Sequence, residues 1–498
     1  MKFSRSSGIL LHPTSLPSPY GIGDLGPSAY EWIDFLFQSR CGLWQILPFG
    51  PTGYGDSPYQ CFSAFGGNIY LISPELLKRE GLLKDSDFDN MPNFPSHVVD
   101  YGAVIPWKIS LLHKAYQRFI ESPSSELKTA YEHFSNENRY WLDDFSLFMA
   151  LKEAHHGEPW FNWEKPLRQR TKRAIAEARD KYRDEIQRQT FFQFLFFYQW
   201  QQLYAYAKEK KIKIIGDIPI FMAHDSVEVW VNPELFHLDK NGMPTVVAGV
   251  PPDYFSPNGQ LWGNPLYRWE VHEASGFEWW VKRLRAVLSA VDIVRLDHFR
   301  GFAAYWEVAA HEKDAIHGRW VPAPGENLLK TIAQELGDLP VIAEDLGVIT
   351  PDVVQLRQKF GLPGMKILVF AFDEGPEDTD LPHHYAEDCV VYTGTHDNDT
   401  IRGWYDRVSE KERDFARRYL RTDGHDISWD VIRAAWASVA VFSLTTMQDL
   451  LSLGNEGRMN YPSKPSGNWV WRMPAYALNE LISFRMAELN WLYSRTNE

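Results

Sequence analysis

The sequence predicts an α/β protein built on a (β/α)8 TIM barrel, and three observations point that way. Eight short apolar runs recur along the 498 residues. Stretches of helical periodicity separate them, and several runs end abruptly in charged side chains. Runs of four to eight residues, rich in Ile, Val and Leu, suit strands buried on both faces of a parallel sheet. In a barrel closed from such a sheet, the strand ends and the loops after them carry function.

The first run is 43–49 (Leu-Trp-Gln-Ile-Leu-Pro-Phe), and the second is 68–73. Residues 75–190 are polar with helical periodicity and read as an inserted, mainly helical subdomain. Within it, 165–188 holds nine Lys/Arg against four Asp/Glu, a mixed pattern that suits a long solvated helix better than a polyanion site. The aromatic run 191–206 reads as a buried barrel helix, because core packing explains it fully. The third strand is 212–220 (Ile-Lys-Ile-Ile-Gly-Asp-Ile-Pro-Ile). Residues 221–290 follow as an inserted loop-rich subdomain, with Gly249 to Pro265 as a large irregular loop. Loops of that length in a compact fold are usually functional. The remaining runs are 291–297, 340–345, 365–372, 390–395 and 441–447. One catalytic barrel over residues 1–498 with two insertions is the expected organisation.

Composition narrows the function. With 44% apolar and 23% charged residues the chain can bury a large core, and wholesale disorder is not expected. A net charge of −14 argues against a nucleic-acid partner, which needs a basic surface. Cys41, Cys61 and Cys389 are scattered and odd in number, so neither a disulfide framework nor a thiolate metal site is indicated. Gly8-Ile-Leu-Leu11 is too short for a signal-peptide core, and no stretch approaches the roughly 18 apolar residues of a membrane span. A soluble protein without a membrane partner is expected, cytoplasmic or, in a plant, in the plastid stroma.

Several motif matches lack their structural context. Gly21-Ile-Gly-Asp-Leu-Gly26 follows a Pro/Ser segment rather than a strand, against a dinucleotide site. Gly55-Asp-Ser57-Pro-Tyr59 lacks the last glycine of a nucleophile elbow, and His311-Glu312 lacks the second histidine of a zinc helix. The acidic segment Asp373 to Asp380 lacks calcium-loop spacing and reads as solvated.

Three carboxylates carry the positive case. Asp297 closes Val294-Arg-Leu-Asp297, Glu344 follows the run ending at Ala343, and Asp397 lies in Thr395-His-Asp-Asn-Asp399. Asp297 and Glu344 are 47 residues apart, room for one β/α unit with a modest insertion. Glu344 and Asp397 are 53 apart with the 365–372 run between them, room for two units, so the acids should follow the fourth, fifth and seventh strands. Arg295 and Asp297, two apart on a strand, project to the same side, where a guanidinium favours and orients an ionised carboxylate. Glu344, partly buried beside two other acids, should have a raised pKa and act as a proton donor. Asp397 beside His396 could bind sugar hydroxyls and stabilise positive charge. This is the equipment for cleaving a glycosidic bond with retention. The chain also carries 20 Trp within 15% aromatics. Tyr54, Tyr59, Tyr254, Phe255 and Trp262 sit in polar, Pro/Gly-rich segments where flat rings suit sugar faces.

Seven segments then identify a family: Trp44-Gln-Ile-Leu-Pro48, Gly50-Pro-Thr-Gly-Tyr-Gly-Asp-Ser-Pro-Tyr-Gln60, Gly216-Asp-Ile-Pro-Ile-Phe221, Arg295-Leu-Asp-His-Phe-Arg-Gly301, Ala343-Glu-Asp-Leu-Gly347, Thr395-His-Asp-Asn398 and Gly467-Asn-Trp-Val-Trp471. Over nearly its whole length the chain resembles the 4-α-glucanotransferases, also called amylomaltases or disproportionating enzymes, of the α-amylase-like clan. The resemblance implies a barrel with inserted subdomains, no β-sandwich domain at the carboxyl end, and neither metal nor organic cofactor. It implies α-1,4-glucan and maltooligosaccharide donors and acceptors. By motif position it makes Asp297 the nucleophile, Glu344 the acid/base and Asp397 the transition-state stabiliser. Tyr59, Asp217, Arg295 and His396 would line the subsite of the cleaved glucose. The segment with Asp253, Tyr254, Phe255, Gln260 and Trp262 would overhang the cleft, and Asn460 would lie on the acceptor side. Gly66-Gly-Asn-Ile-Tyr70 and Ser463 depart from the family pattern. Because three acids cannot by themselves choose sugar over water, an α-1,4-glucan hydrolase stands as the alternative activity. A non-catalytic glucan-binding scaffold is the alternative of another class.

Overall fold

Among the described residues the chain forms twelve strands: β1 (Ser6–Leu10), β2 (Leu43–Gln45), β3 (Lys213–Ile218), β4 (Val246–Val250), β5 (Gln260–Pro265), β6 (Ile293–Leu296), β7 (Ala304–Ala309), β8 (Gly318–Pro322), β9 (Val341–Ala343), β10 (Gly364–Ile367), β11 (Cys389–Tyr392) and β12 (Phe442–Thr446). They belong to a computed structural model that describes residues 3–252, 256–462, 464 and 466–496. Asp253, Tyr254, Phe255 and Ser463, and the side chain of Tyr54, lie outside the described residues.

Eight of the strands form one parallel sheet in the order β10-β11-β12-β1-β2-β3-β6-β9. Its two ends meet where the Ala343 N–H donates to the Pro363 carbonyl at 3.0 Å, giving the expected (β/α)8 barrel. The strands are buried almost throughout, as strands of a parallel sheet covered on both faces are. In register, Asp217 pairs with Arg295 between β3 and β6, and Leu296 pairs with Ala343 between β6 and β9. Neighbouring strands therefore stop together, and Asp297, Glu344 and Asp397 follow the fourth, fifth and seventh strands of the barrel.

The second apolar run is not a strand. Asn68 caps a 3-10 turn over Ile69–Leu71, its side chain accepting from the Tyr70 N–H at 2.9 Å. The helix Pro74–Arg79 follows, capped by Ser73. Leu71 and Ile72 are buried, so their apolarity reflects core packing rather than sheet pairing. The strand that takes this place is β1, which carries only two large apolar side chains, Ile9 and Leu10. A Cβ on its Gly8 would lie 2.4 Å from the Leu43 carbonyl oxygen, so β1 and β2 can approach this closely only with glycine there.

Between β2 and β3 the chain is mainly helical, including Tyr101–Glu121, Ser125–Glu137, Arg139–Ala154 and Arg183–Glu209. The last buries Phe191, Phe192, Phe194, Phe196 and Trp200 against the barrel. The basic stretch 165–188 is broken into Lys165–Arg168, Lys172–Lys181 and the start of Arg183–Glu209, with Arg170 at a positive φ of 49°. Its cations meet acids of a neighbouring helix: Arg170 and Arg179 each reach Asp144 at 2.9 Å, and Arg188 reaches Glu153 at 2.8 Å. Gly249 to Pro265, expected as irregular loop, contains β5 and ends a four-stranded antiparallel sheet ordered β5-β4-β7-β8. Among the described residues, no helix is long and apolar enough to cross a membrane.

Candidate active site

The barrel's carboxyl-terminal mouth opens into a cleft of about 790 Å³, within the range of pockets that enclose a small ligand. Asp297, Glu344 and Asp397 all line it, with Tyr59, Gln260, Trp262, Arg295 and Asn460.

The backbone places the first two acids together. The Asp297 N–H donates to the Ile218 carbonyl at 3.0 Å, and the Glu344 N–H donates to Leu296 at 3.1 Å. His298 then turns into the left-handed region, at φ 49°. There its N–H donates to Glu344 Oε2 at 2.6 Å, while the Leu346 N–H donates to Oε1 at 3.1 Å. Glu344 is thus held by two backbone donors directly beside Asp297. Burial, with the neighbouring Asp297 charge adding to it, pushes its pKa to about 8, against the pull of Arg295 and those donors.

Arg295 organises the β3–β6 side. Its Nη1 lies 2.8 and 2.7 Å from the two oxygens of Asp217 and 2.9 Å from Asp297 Oδ1. Tyr59 donates its hydroxyl to Asp217 Oδ2 at 2.8 Å, and burial together with the Asp217 charge holds that phenol well above its usual pKa. The Tyr59 ring stacks on His396 at 5.2 Å and meets Trp469 at 5.8 Å. His396 Nε2 lies 3.3 Å from Asp397 Oδ2. One connected network therefore joins Asp297 to Asp397 across the mouth.

Asp397 is bound differently from Glu344. Asn460 donates to its Oδ1 at 2.6 Å. Burial works to raise its pKa, but His396, Asn460 and Arg295 overcome that and hold it at about 2. Trp262 lies edge-on to His298 at 4.8 Å, and its Nε1 donates to Gln260 Oε1 at 3.2 Å. Of the expected overhanging group, Gln260 and Trp262 line the cleft.

Three contributors were not assigned a role from sequence. His298 supplies a backbone donor through a left-handed conformation that its residue type does not announce. Trp469 stands within a quoted motif, and only its stacking gives it a place. Arg458 donates to the Asn460 carbonyl, two residues on, at 2.8 Å and to the Asp397 carbonyl at 2.7 Å, and the second contact spans 61 residues and leaves no local signal. Among the described residues no group of three or more His, Cys, Asp or Glu is placed to hold a metal ion.

The sequence profile of the 4-alpha-glucanotransferase family matches residues 11–478. The chain belongs to this family. A 4-alpha-glucanotransferase of Thermus thermophilus is 52% identical over 481 residues, 95% of each chain. The chloroplastic/amyloplastic 4-alpha-glucanotransferase of Solanum tuberosum is 44% identical over 95% of this chain and 82% of its own. The solved amylomaltase of Streptococcus agalactiae, in complex with acarbose, superposes with a TM-score of 0.96 at 41% identity, covering 99% of this chain and 100% of its own. This 4-alpha-glucanotransferase is accordingly an enzyme, and family membership decides for transfer over the hydrolase and the silent scaffold.

Proposed function

We propose that the enzyme moves α-1,4-glucan segments by double displacement through a glycosyl ester on Asp297. In the first half, an Asp297 oxygen attacks the anomeric carbon of the donor. The bond from that carbon to the leaving 4-oxygen breaks, and the Glu344 proton passes to that oxygen. In the second half, Glu344, now ionised, takes the proton of an acceptor 4-hydroxyl. The acceptor oxygen attacks the anomeric carbon, the ester to Asp297 breaks, and the α-configuration is retained. Asp397 stabilises the positive charge that develops on the sugar, and Arg295 holds Asp297 in line. Tyr59, Asp217 and His396 form the wall of the cleaved-glucose subsite, and Asn460 sits on the acceptor side.

The observation that carries this reading is the split between two carboxyls in one cleft. Glu344 is shifted to about 8 and Asp397 to about 2, so one holds a proton at neutral pH while the other is charged. Separated environments of this kind mark acid and anion roles. The acarbose complex of the Streptococcus agalactiae relative supports an oligosaccharide in this cleft. Reaction of Glu344→Gln with α-maltosyl fluoride, a donor whose leaving group needs no proton, tests it. Intact-mass analysis should then find a maltosyl adduct that peptide mapping places on Asp297. An adduct elsewhere, or inverted transfer product from the wild type, overturns the mechanism.

A further inference from the structure

The helix Glu480–Leu492 is apolar on both sides. Met486 and Leu489 face inward, while Leu481 is 84%, Phe484 73% and Trp491 65% exposed, with Leu492 half exposed beside them. A helix apolar all round normally belongs in an interior. This one is firmly seated, so the outer face is not a frayed end. Asn479 caps it, accepting from the Ile482 N–H at 3.1 Å. Asn490 is fully buried, accepting from Trp436 Nε1 and donating to the Ser39 carbonyl, each at 2.7 Å. Tyr476, just before the helix, is also largely exposed.

We propose that this face is the self-complementary interface of a homodimer, its occupant being the same helix of a second copy. The five outward side chains present roughly 700 Å², taking about 150–250 Å² for a large side chain in full exposure. That lies at or above the upper end of the largest apolar patch of a typical monomer, about 300–600 Å². It approaches the ~800 Å² that each partner contributes to a standard stable interface. Leu and Phe side by side favour a protein surface over a sugar.

The charges agree with a two-fold axis. The exposed face carries Arg485 and Glu488 within the apolar row. In an antiparallel pairing centred between residues 486 and 487, Leu481 faces Leu492 of the second copy. Arg485 faces Glu488 of the second copy, and the same pair recurs by symmetry. Isologous contacts have this form, each residue meeting the other's counterpart. A parallel pairing of the two helices would set like charges opposite each other.

Sedimentation equilibrium of the full chain from about 1 to 100 μM tests the proposal. The wild type should show a species of twice 57.7 kDa. Phe484→Glu combined with Trp491→Glu should sediment as a monomer, with unchanged thermal unfolding at low protein concentration and unchanged disproportionation of maltotriose. Glu488→Arg alone should weaken association at least tenfold, and adding Arg485→Glu should restore it. Arg485 also bonds Asp426 and lies over Trp429 within the chain, so the single Glu488→Arg variant is the cleaner reading. A wild type that stays monomeric at 100 μM, or a dimer that survives the double glutamate variant, overturns the proposal. Failure of the charge swap to restore association overturns the antiparallel pairing.

Discussion

Replacing Glu344 with glutamine should remove activity while stabilising the fold, and the stabilisation should reverse sign with pH. The native carboxyl has its pKa raised from 4.5 to about 8. Between those values the folded protein keeps a proton that the unfolded chain has released. The native state is therefore favoured by this group below pH 4.5, and that contribution is lost progressively as pH rises through the folded value. At pH 7 the lost contribution is about 3 kcal/mol, at about 1.4 kcal/mol per unit. Glutamine never ionises and so escapes it. Glutamine has one acceptor oxygen, however, and cannot serve both the His298 and Leu346 N–H groups. One unmade backbone bond costs about 1 kcal/mol. The variant should thus be about 2 kcal/mol more stable at pH 7 and about 1 kcal/mol less stable at pH 4.5. For a chain of this length that is roughly 1 °C per kcal/mol in Tm. Differential scanning fluorimetry at a fixed scan rate, wild type beside variant at both pH values, reads the crossing. A variant lowered equally at both would refute the claim that native Glu344 is held protonated by its surroundings.

Three further outcomes follow from the same contacts. With a maltooligosaccharide donor, kcat/KM should fall tenfold per unit above about pH 8 as Glu344 loses its proton. With α-maltosyl fluoride, initial rates of fluoride release should lack that limb, and a shared limb would reassign the acid. Tyr59→Phe keeps the ring on His396 but removes the hydroxyl from Asp217. A lost bond to a charged group is worth about 1.5–3 kcal/mol, so kcat for glucose release from maltotriose should drop roughly 10- to 100-fold. Arg458→Ala frees Asn460 and the Asp397 backbone. It should raise the share of hydrolysis over transfer several-fold, measured as reducing ends gained per glucose released, with Arg458→Lys between the two. An unchanged ratio would confine Arg458 to a structural role.

The legible parts of this protein were those written in contiguous residues. Each of the three acids sits at the end of a buried run, and a parallel barrel makes strand ends converge, so spacing alone ordered them correctly on the fourth, fifth and seventh strands. The first and second strands were misread for complementary reasons. β1 is short, half polar and contains Gly8, whose value is the absence of a side chain against Leu43, and no apolarity scale rewards that. Residues 68–73 are apolar because Leu71 and Ile72 enter the core from a turn, and the Asn68 and Ser73 caps were the signals against a strand. Gly249 to Pro265 was read as irregular because prolines and glycines bracket β4 and β5, yet β5 pairs with β4, and the other partner of β4, β7, lies more than 40 residues on. The contacts of Arg458 with Asp397 and of His298 with Glu344 belong to this same class, being tertiary facts without a local pattern.

The environments of the acids also explain why three carboxylates can share one mouth. Burial works to raise the pKa of both Glu344 and Asp397. Asp297 has the Arg295 guanidinium at 2.9 Å, and Asp397 has His396 and Asn460. Glu344 has only two neutral backbone donors. With no cation bonded to it, Glu344 keeps the upward push of its burial, whereas the partners of Asp397 overcome theirs. On this logic the assignment of acid and anions is set less by the carboxyls than by where the cations are absent. Moving positive charge onto Glu344, for instance by Leu346→Arg, should lower its pKa and carry the alkaline limb of kcat/KM below pH 8. If that limb stayed in place, the control of Glu344 by its uncharged surroundings would be wrong.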